Sequence, residues 1–138
     1  MSFQDKVWSL GHALLEKTIS GSIRWAETAE EDSFRAILNT GLVRIERYED
    51  PRDRLGTNIT PSHQGLPFRL PSSYKTFEGF IYCLVVLDDR NKELARYIPD
   101  IEAHAVGLRN LWELAKRGAQ NSEQKIDDIL NELAGTQA

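Results

Sequence analysis

Six residues stand apart chemically in an otherwise acidic chain: Arg52, Arg54, Phe68, Arg69, Tyr74 and Lys75. Guanidinium groups grip carboxylates and phosphates through paired hydrogen bonds, and aromatic rings stack on bases or apolar side chains. These types fit three roles: a contact to single-stranded nucleic acid or phosphate, a docking surface for an acidic protein, or a solvated loop. Residues 51–76 carry four basic side chains and one acidic one. Residues 1–50 carry six and nine, and residues 77–138 seven and eleven. With a net charge of −4, a nucleic-acid coat over the whole surface is excluded, which leaves 51–76 as the one basic patch. The solvated loop is the plainest of the three roles. Among the functional ones, protein docking ranks above nucleic acid, because four cations are few against so acidic a body.

Other reactive residues are scattered. His12 lies on the outer side of the first helical segment, His104 on the first turns of a later one, and His63 in the basic loop. No element carries two of them at ligand spacing, so no zinc site is expected. Asp88 and Asp89 at a strand end, with Asp100 or Glu102, have the oxygen chemistry of a hard-cation site. Paired acids at a hairpin tip are more often solvated turn residues. A nuclease-like set, Pro99-Asp100 with Glu123-Gln124-Lys125, fails because the second group falls on a helix. The serines Ser72 and Ser73 have no base placed by sequence, and no phosphate-cradling glycine loop or nucleophile elbow is present. Cys83 is the only cysteine, so it has no internal disulfide partner and reads as a small buried hydrophobe. No cofactor is implied. An enzyme, if there is one, would be a small metal-dependent hydrolase of a phosphate-containing substrate using Asp88, Asp89 and His63 or His104.

The elements that position these residues are organised around Phe80-Ile81-Tyr82-Cys83-Leu84-Val85-Val86-Leu87. The stretch is apolar at both side-chain parities and ends at Asp88-Asp89, as expected of a central strand covered on both faces. Ahead of it, Ser2 and Asp5 make a box-like cap for a helix over roughly 3–19, with Phe3, Val7, Leu10 and Leu14 on one face and Gly21 beyond its end. Ile23 and Trp25 alternate, then Phe34, Ala36 and Leu38. After the Asn39-Thr40-Gly41 turn, Val43 and Ile45 face one way while Arg44, Glu46 and Tyr48 face the other. These read as three short antiparallel strands. Residues 51–76 hold four of the five prolines and no periodicity. They are expected to contribute little to the fold and to carry what is specific to this protein. After the central strand, Asp88-Asp89-Arg90-Asn91-Lys92 makes a hairpin turn and Leu94, Arg96 and Ile98 return. Asp100 then caps a helix carrying Ile101, Ala105, Leu108, Trp112 and Ala115. Gly118 ends or kinks it, and a last helix places Ile126, Ile129, Leu130 and Leu133 in one stripe. Trp8 lies off the main apolar face of the first helix, which suggests either an interface or a broadly buried helix; the second reading is preferred.

Three pieces together carry a resemblance. They are Leu14-Leu15-Glu16-Lys17-Thr18 followed by Gly21-Ser22-Ile23-Arg24-Trp25, the hairpin from Leu84 to Leu94, and Leu111-Trp112-Glu113-Leu114-Ala115-Lys116-Arg117 before Ile126-Asp127-Asp128-Ile129-Leu130. The order resembles small, uncharacterised bacterial proteins with a leucine-lysine-threonine opener, a β-meander and a helical tail. It covers most of the chain outside 51–76, which looks like an insertion, and departs at Asn91, where glycine is expected. The resemblance implies the fold and an association with mobile or phage-defence loci, and no activity.

The chain therefore reads as a single α+β domain over 1–138. It has an N-terminal helix, an antiparallel sheet of about five strands, two C-terminal helices packed on the sheet, and a proline-rich basic loop at 51–76. No secretion signal or membrane-length apolar run is seen, so a cytoplasmic location without membrane contact is expected. The expected function is a non-catalytic protein–protein interaction or regulatory subunit, with a protein partner or a second copy of itself as ligand. Its expected partner-binding residues are Arg52, Arg54, Phe68, Arg69, Tyr74 and Lys75, and nucleic acid through 51–76 is the lesser alternative.

Overall fold

The computed structural model describes residues 2–51 and 66–135. Helix α1 spans Phe3–Ile19, and the expected capping box is formed: the Asp5 amide donates to Ser2 Oγ at 3.1 Å and the Ser2 amide to the Asp5 carboxylate at 3.3 Å. Gly21, at φ 79°, turns the chain out of the helix in the left-handed conformation a side chain resists. Strands β1 (Ala26–Glu27), β2 (Ser33–Leu38), β3 (Gly41–Glu49), β4 (Phe80–Leu87) and β5 (Glu93–Tyr97) follow, and they lie in that order in one antiparallel sheet. Ile23 and Trp25 are not part of a strand, since β1 is only two residues long. Asn91, at φ 65°, takes the left-handed position of the β4–β5 turn that glycine would fill.

Register decides which side chains share a face. Ile45 pairs with Leu84, which pairs with Tyr97, while Phe34 pairs with Ile45. These residues point to the helices, where with Val43, Leu108, Leu111 and Trp112 they form the main core. Trp112 is fully buried, edge-on to Phe34 and Tyr82, and its indole N–H donates to the Asp32 carbonyl at 3.0 Å. Helices α1 and α2 (Glu102–Gly135) approach closely because glycines lie between them. A methyl on Gly11 would sit 3.3 Å from Leu84, and one on Gly107 would collide with the Trp8 ring. Trp8 is accordingly half-buried between the helices, so α1 is buried more broadly than its Val7–Leu14 stripe. Phe3, expected on that stripe, is exposed.

The opposite parity of β4 is also covered, as its composition requires, but by the chain just before it. Leu70 and Tyr74 are buried against Ile81 and Cys83, with Phe68, Leu66 and Tyr48 packed around them. The Tyr74 hydroxyl donates to the buried Asp50 carboxylate at 2.8 Å, and the Lys75 amide to the Pro99 carbonyl at 2.8 Å. The expectation that 51–76 contributes little to the fold is thereby corrected for residues 66–76, which are the second cover of the sheet. Residues 52–65 lie outside the described residues.

The two C-terminal helical segments are present, joined as one bent helix of 34 residues. The carbonyl of Ile101 accepts its first bonds, and Gly118 lies within it. Among the described residues its buried side chains lie in its first half: Ala105, Leu108, Leu111, Trp112, Ala115 and Ala119. From Gln120 to Gly135 every side chain described is exposed.

Candidate interaction surface

The six residues expected to bind a partner divide once they are placed. Tyr74 is buried and bonded to Asp50, so it belongs to the core. Phe68 is half-buried, edge-on to Tyr48 at 5.0 Å and beneath the Arg96 guanidinium at 4.4 Å. Both aromatics hold the cover on the sheet, and the burial of Tyr74 corrects its reading as a partner contact. Arg69 and Lys75 are exposed, and Arg69 lines a shallow pocket of about 430 Å³ with Ser73, Arg96, Ile98 and Asp100. Arg52 and Arg54 lie outside the described residues.

Under Phe68 the sheet carries a buried ionic cluster that alternation alone would have left in water. Glu46 on β3 is 3% exposed. Its carboxylate accepts from Arg96 at 2.6 Å and from the Tyr48 hydroxyl at 2.9 Å, and Arg44 Nε lies 3.1 Å away without hydrogen-bond alignment. Arg96 also donates to Glu93 at 2.8 Å. Burial works against the charge of Arg96, but Glu93 and Glu46 hold its pKa above the ordinary arginine value. Burial, reinforced by Glu46, raises that of Tyr48. Cys83 beside them is fully buried, and that burial pushes its thiol up to about 12. A thiol kept protonated is a poor nucleophile, so the cluster is built for structure, with its acid paired and its sulfur inert.

Of the residues of the hydrolase reading, His104 is not brought to Asp88 and Asp89. The Asp88 carboxylate accepts the Arg90 and Lys92 amides, each at 2.9 Å, which is the work of a turn residue. His104 lies at the opposite end of β5, its Nδ1 hydrogen-bonded to the Tyr97 hydroxyl and its ring stacked on Trp8 at 4.0 Å. That imidazole is engaged in packing α1 on α2. His63 lies outside the described residues. Among the described residues no group of three or more His, Cys, Asp or Glu is arranged to hold a metal. No helix among them is long and apolar enough to cross a membrane.

What the fold leaves facing outward is the far half of α2. Ile126, Ile129, Leu130 and Leu133 are 58, 46, 58 and 55% exposed. They continue the buried seam of the same helix: Leu108, Trp112, Ala115 and Ala119 recur at spacings of four and three, and Ile126, Ile129 and Leu133 fall on the same rhythm. At the base of this stripe a groove of about 590 Å³ opens between the Gly21–Trp25 link and α2, lined by Ile23, Arg24, Trp25, Leu114, Lys125 and Ile126. The stripe was visible in the sequence as a helical face. Its exposure was not, because the sheet that covers the first half of the helix does not reach the second. Comparison with protein-family models, with curated proteins and with solved structures returns no match for this chain.

Proposed function

We propose that this chain is a non-catalytic protein-interaction module, a binding or regulatory subunit, that docks through the apolar stripe of the second half of α2. The carrying observation is the set of four large aliphatic side chains, each about half exposed or more, on the half of α2 that runs past the sheet. Exposed apolar surface of this kind marks interaction sites, and helical segments of about 12–15 residues are marginal in water without a covered face. The mode is a helix presenting anchors at i, i+3, i+4 and i+7. Arg69 and Lys75, on the separate face formed by 66–76, suit a second contact to carboxylates of the same assembly. A single thiol kept as a buried apolar group suits a reducing, cytoplasmic setting. The resemblance to small bacterial proteins adds a bacterial system associated with mobile or defence loci to this reading.

The test is a photo-crosslinking amino acid placed at position 129 of the full chain, with position 31 as an exposed control. The expected result is a discrete crosslinked protein species from position 129 and none from position 31. Absence of any species from position 129, and equally from 130 and 133, would overturn the reading.

A further inference from the structure

The occupant of the stripe is legible in the charges beside it. In the seven-residue rhythm that the helix keeps from Leu108 onward, Ile126 and Leu133 take one seam position and Ile129 the other. Lys125 and Glu132 then take the same flanking position one turn-pair apart. A flanking position of this kind meets its own equivalent when two helices pair antiparallel, so a basic and an acidic residue occupying it in turn complement each other across a two-fold axis. From this we infer that the partner is a second copy of this chain, its α2 antiparallel to the first; the inference rests on the stripe being the docking surface.

The register follows from the same charges. Two antiparallel registers bring apolar seams together. In one, Ile126 faces Ile129 of the second copy and Ile129 faces its Ile126. Lys125 then lies beside Glu132 of the second copy, and the pair occurs twice by symmetry. In the other, Leu133 faces Ile129 and the two Glu132 carboxylates approach each other, which like charges oppose. The first register is selected. A parallel pair loses on both counts, because it places Lys125 beside Leu130 and aligns the acidic Asp127, Asp128 and Glu132 of both tails and their helix dipoles. The selected register also runs Leu133 of each copy back toward the other's body, over the groove at Ile23, Trp25 and Leu114, whose rim carries Arg24 and Lys125. That adds apolar area and cations to an acidic tail about 24 Å long from Gln120 to Gly135. An isologous contact of this form closes on itself, as two-fold dimers do.

The experiment is sedimentation equilibrium on the full chain from low micromolar to near-millimolar concentration. The variants are Lys125→Glu, Glu132→Lys, their equimolar mixture, the double variant, and Ile129→Glu. All of these positions are exposed, so the fold is retained, with circular dichroism as the check. The wild type is expected to reach twice the 15.7 kDa of one chain. Each single charge variant should dissociate about tenfold more easily or worse, since two pairs become repulsive. Both the mixture and the double variant should recover the wild-type midpoint, because opposite charges again face each other. Ile129→Glu should be monomeric. A wild type monomeric throughout overturns the second copy as partner; if position 129 still crosslinks a different protein, the docking surface stands and only its occupant is wrong. A dimer indifferent to the single variants, or not restored by the mixture, overturns the antiparallel register.

Discussion

Removing Glu46 tests the second cover of the sheet most directly. Its carboxylate is held by Arg96 at 2.6 Å and Tyr48 at 2.9 Å, with Arg44 Nε at 3.1 Å, and Phe68 closes over Arg96. Glu46→Ala leaves two guanidiniums facing the buried Cys83 and Val85 with one acceptor fewer. Breaking a buried pair in this way costs about 3–5 kcal/mol. Arg96 keeps Glu93, a carboxylate 42% exposed, so the lower end, about 3 kcal/mol, is expected. That is a large part of the roughly 5–15 kcal/mol that holds a domain folded. At this chain length it corresponds to a fall of about 10 °C in Tm. Replacing both partners, Glu46→Leu with Arg96→Leu, removes the charge and its counter-charge together. The double variant should lose less than the two single changes added, by about 2 kcal/mol or more. Urea unfolding of the four proteins, with unchanged denaturant slopes, measures the difference. A Glu46→Ala cost under about 1 kcal/mol, or additivity within about 0.5 kcal/mol, would show the cluster solvated and residues 66–76 loosely laid on the sheet.

Trp112→Ala should cost about 3–5 kcal/mol, because the ring is fully buried between Phe34 and Tyr82; a cost under about 1 kcal/mol in urea unfolding would refute that packing. Gly107→Ala should cost about 1–3 kcal/mol, since its methyl meets the Trp8 ring, and pairing it with Trp8→Leu should restore part of the loss. A neutral Gly107→Ala would place the helices further apart than described. Stability should fall as pH rises from about 9 toward about 12. The unfolded chain gives up the Cys83 proton near its ordinary value, whereas burial pushes the folded thiol up to about 12, so over that window the unfolded state binds fewer protons. Tyr97, pushed up to about 12 by burial and then by Asp100 and Asp5, acts in the same direction from its ordinary 10.0. Urea midpoints at about pH 8 and about pH 10.5 should therefore differ less in Cys83→Ala than in the wild type; an equal difference in both would mean that the thiol is reached by water.

Much of the architecture is set by interactions a few residues long, and that part is read from the sequence directly. The Ser2–Asp5 box and Gly21 delimit α1 because capping and left-handed backbone are local chemistry. The parity of Val43 and Ile45 against Arg44, Glu46 and Tyr48 assigns the faces of β3 because a pleat alternates strictly. Apolar residues at both parities of Phe80–Leu87 imply two covers, and two are found. What covers each face is a different matter, since it depends on partners far along the chain. Glu46 looks like a wet residue of a half-buried strand until Arg96, fifty positions later, and Phe68 close over it. Tyr74 looks like an exposed aromatic in a basic loop until Asp50, twenty-four positions earlier, accepts its hydroxyl. The tail of α2 shows the reverse. Periodicity marks Ile126, Ile129, Leu130 and Leu133 as a face to be covered, whereas the extent of the sheet beneath α2 determines that this face is about half exposed or more among the described residues. A helical period records which side is apolar; only the lengths and positions of neighbouring elements determine what, if anything, lies against it.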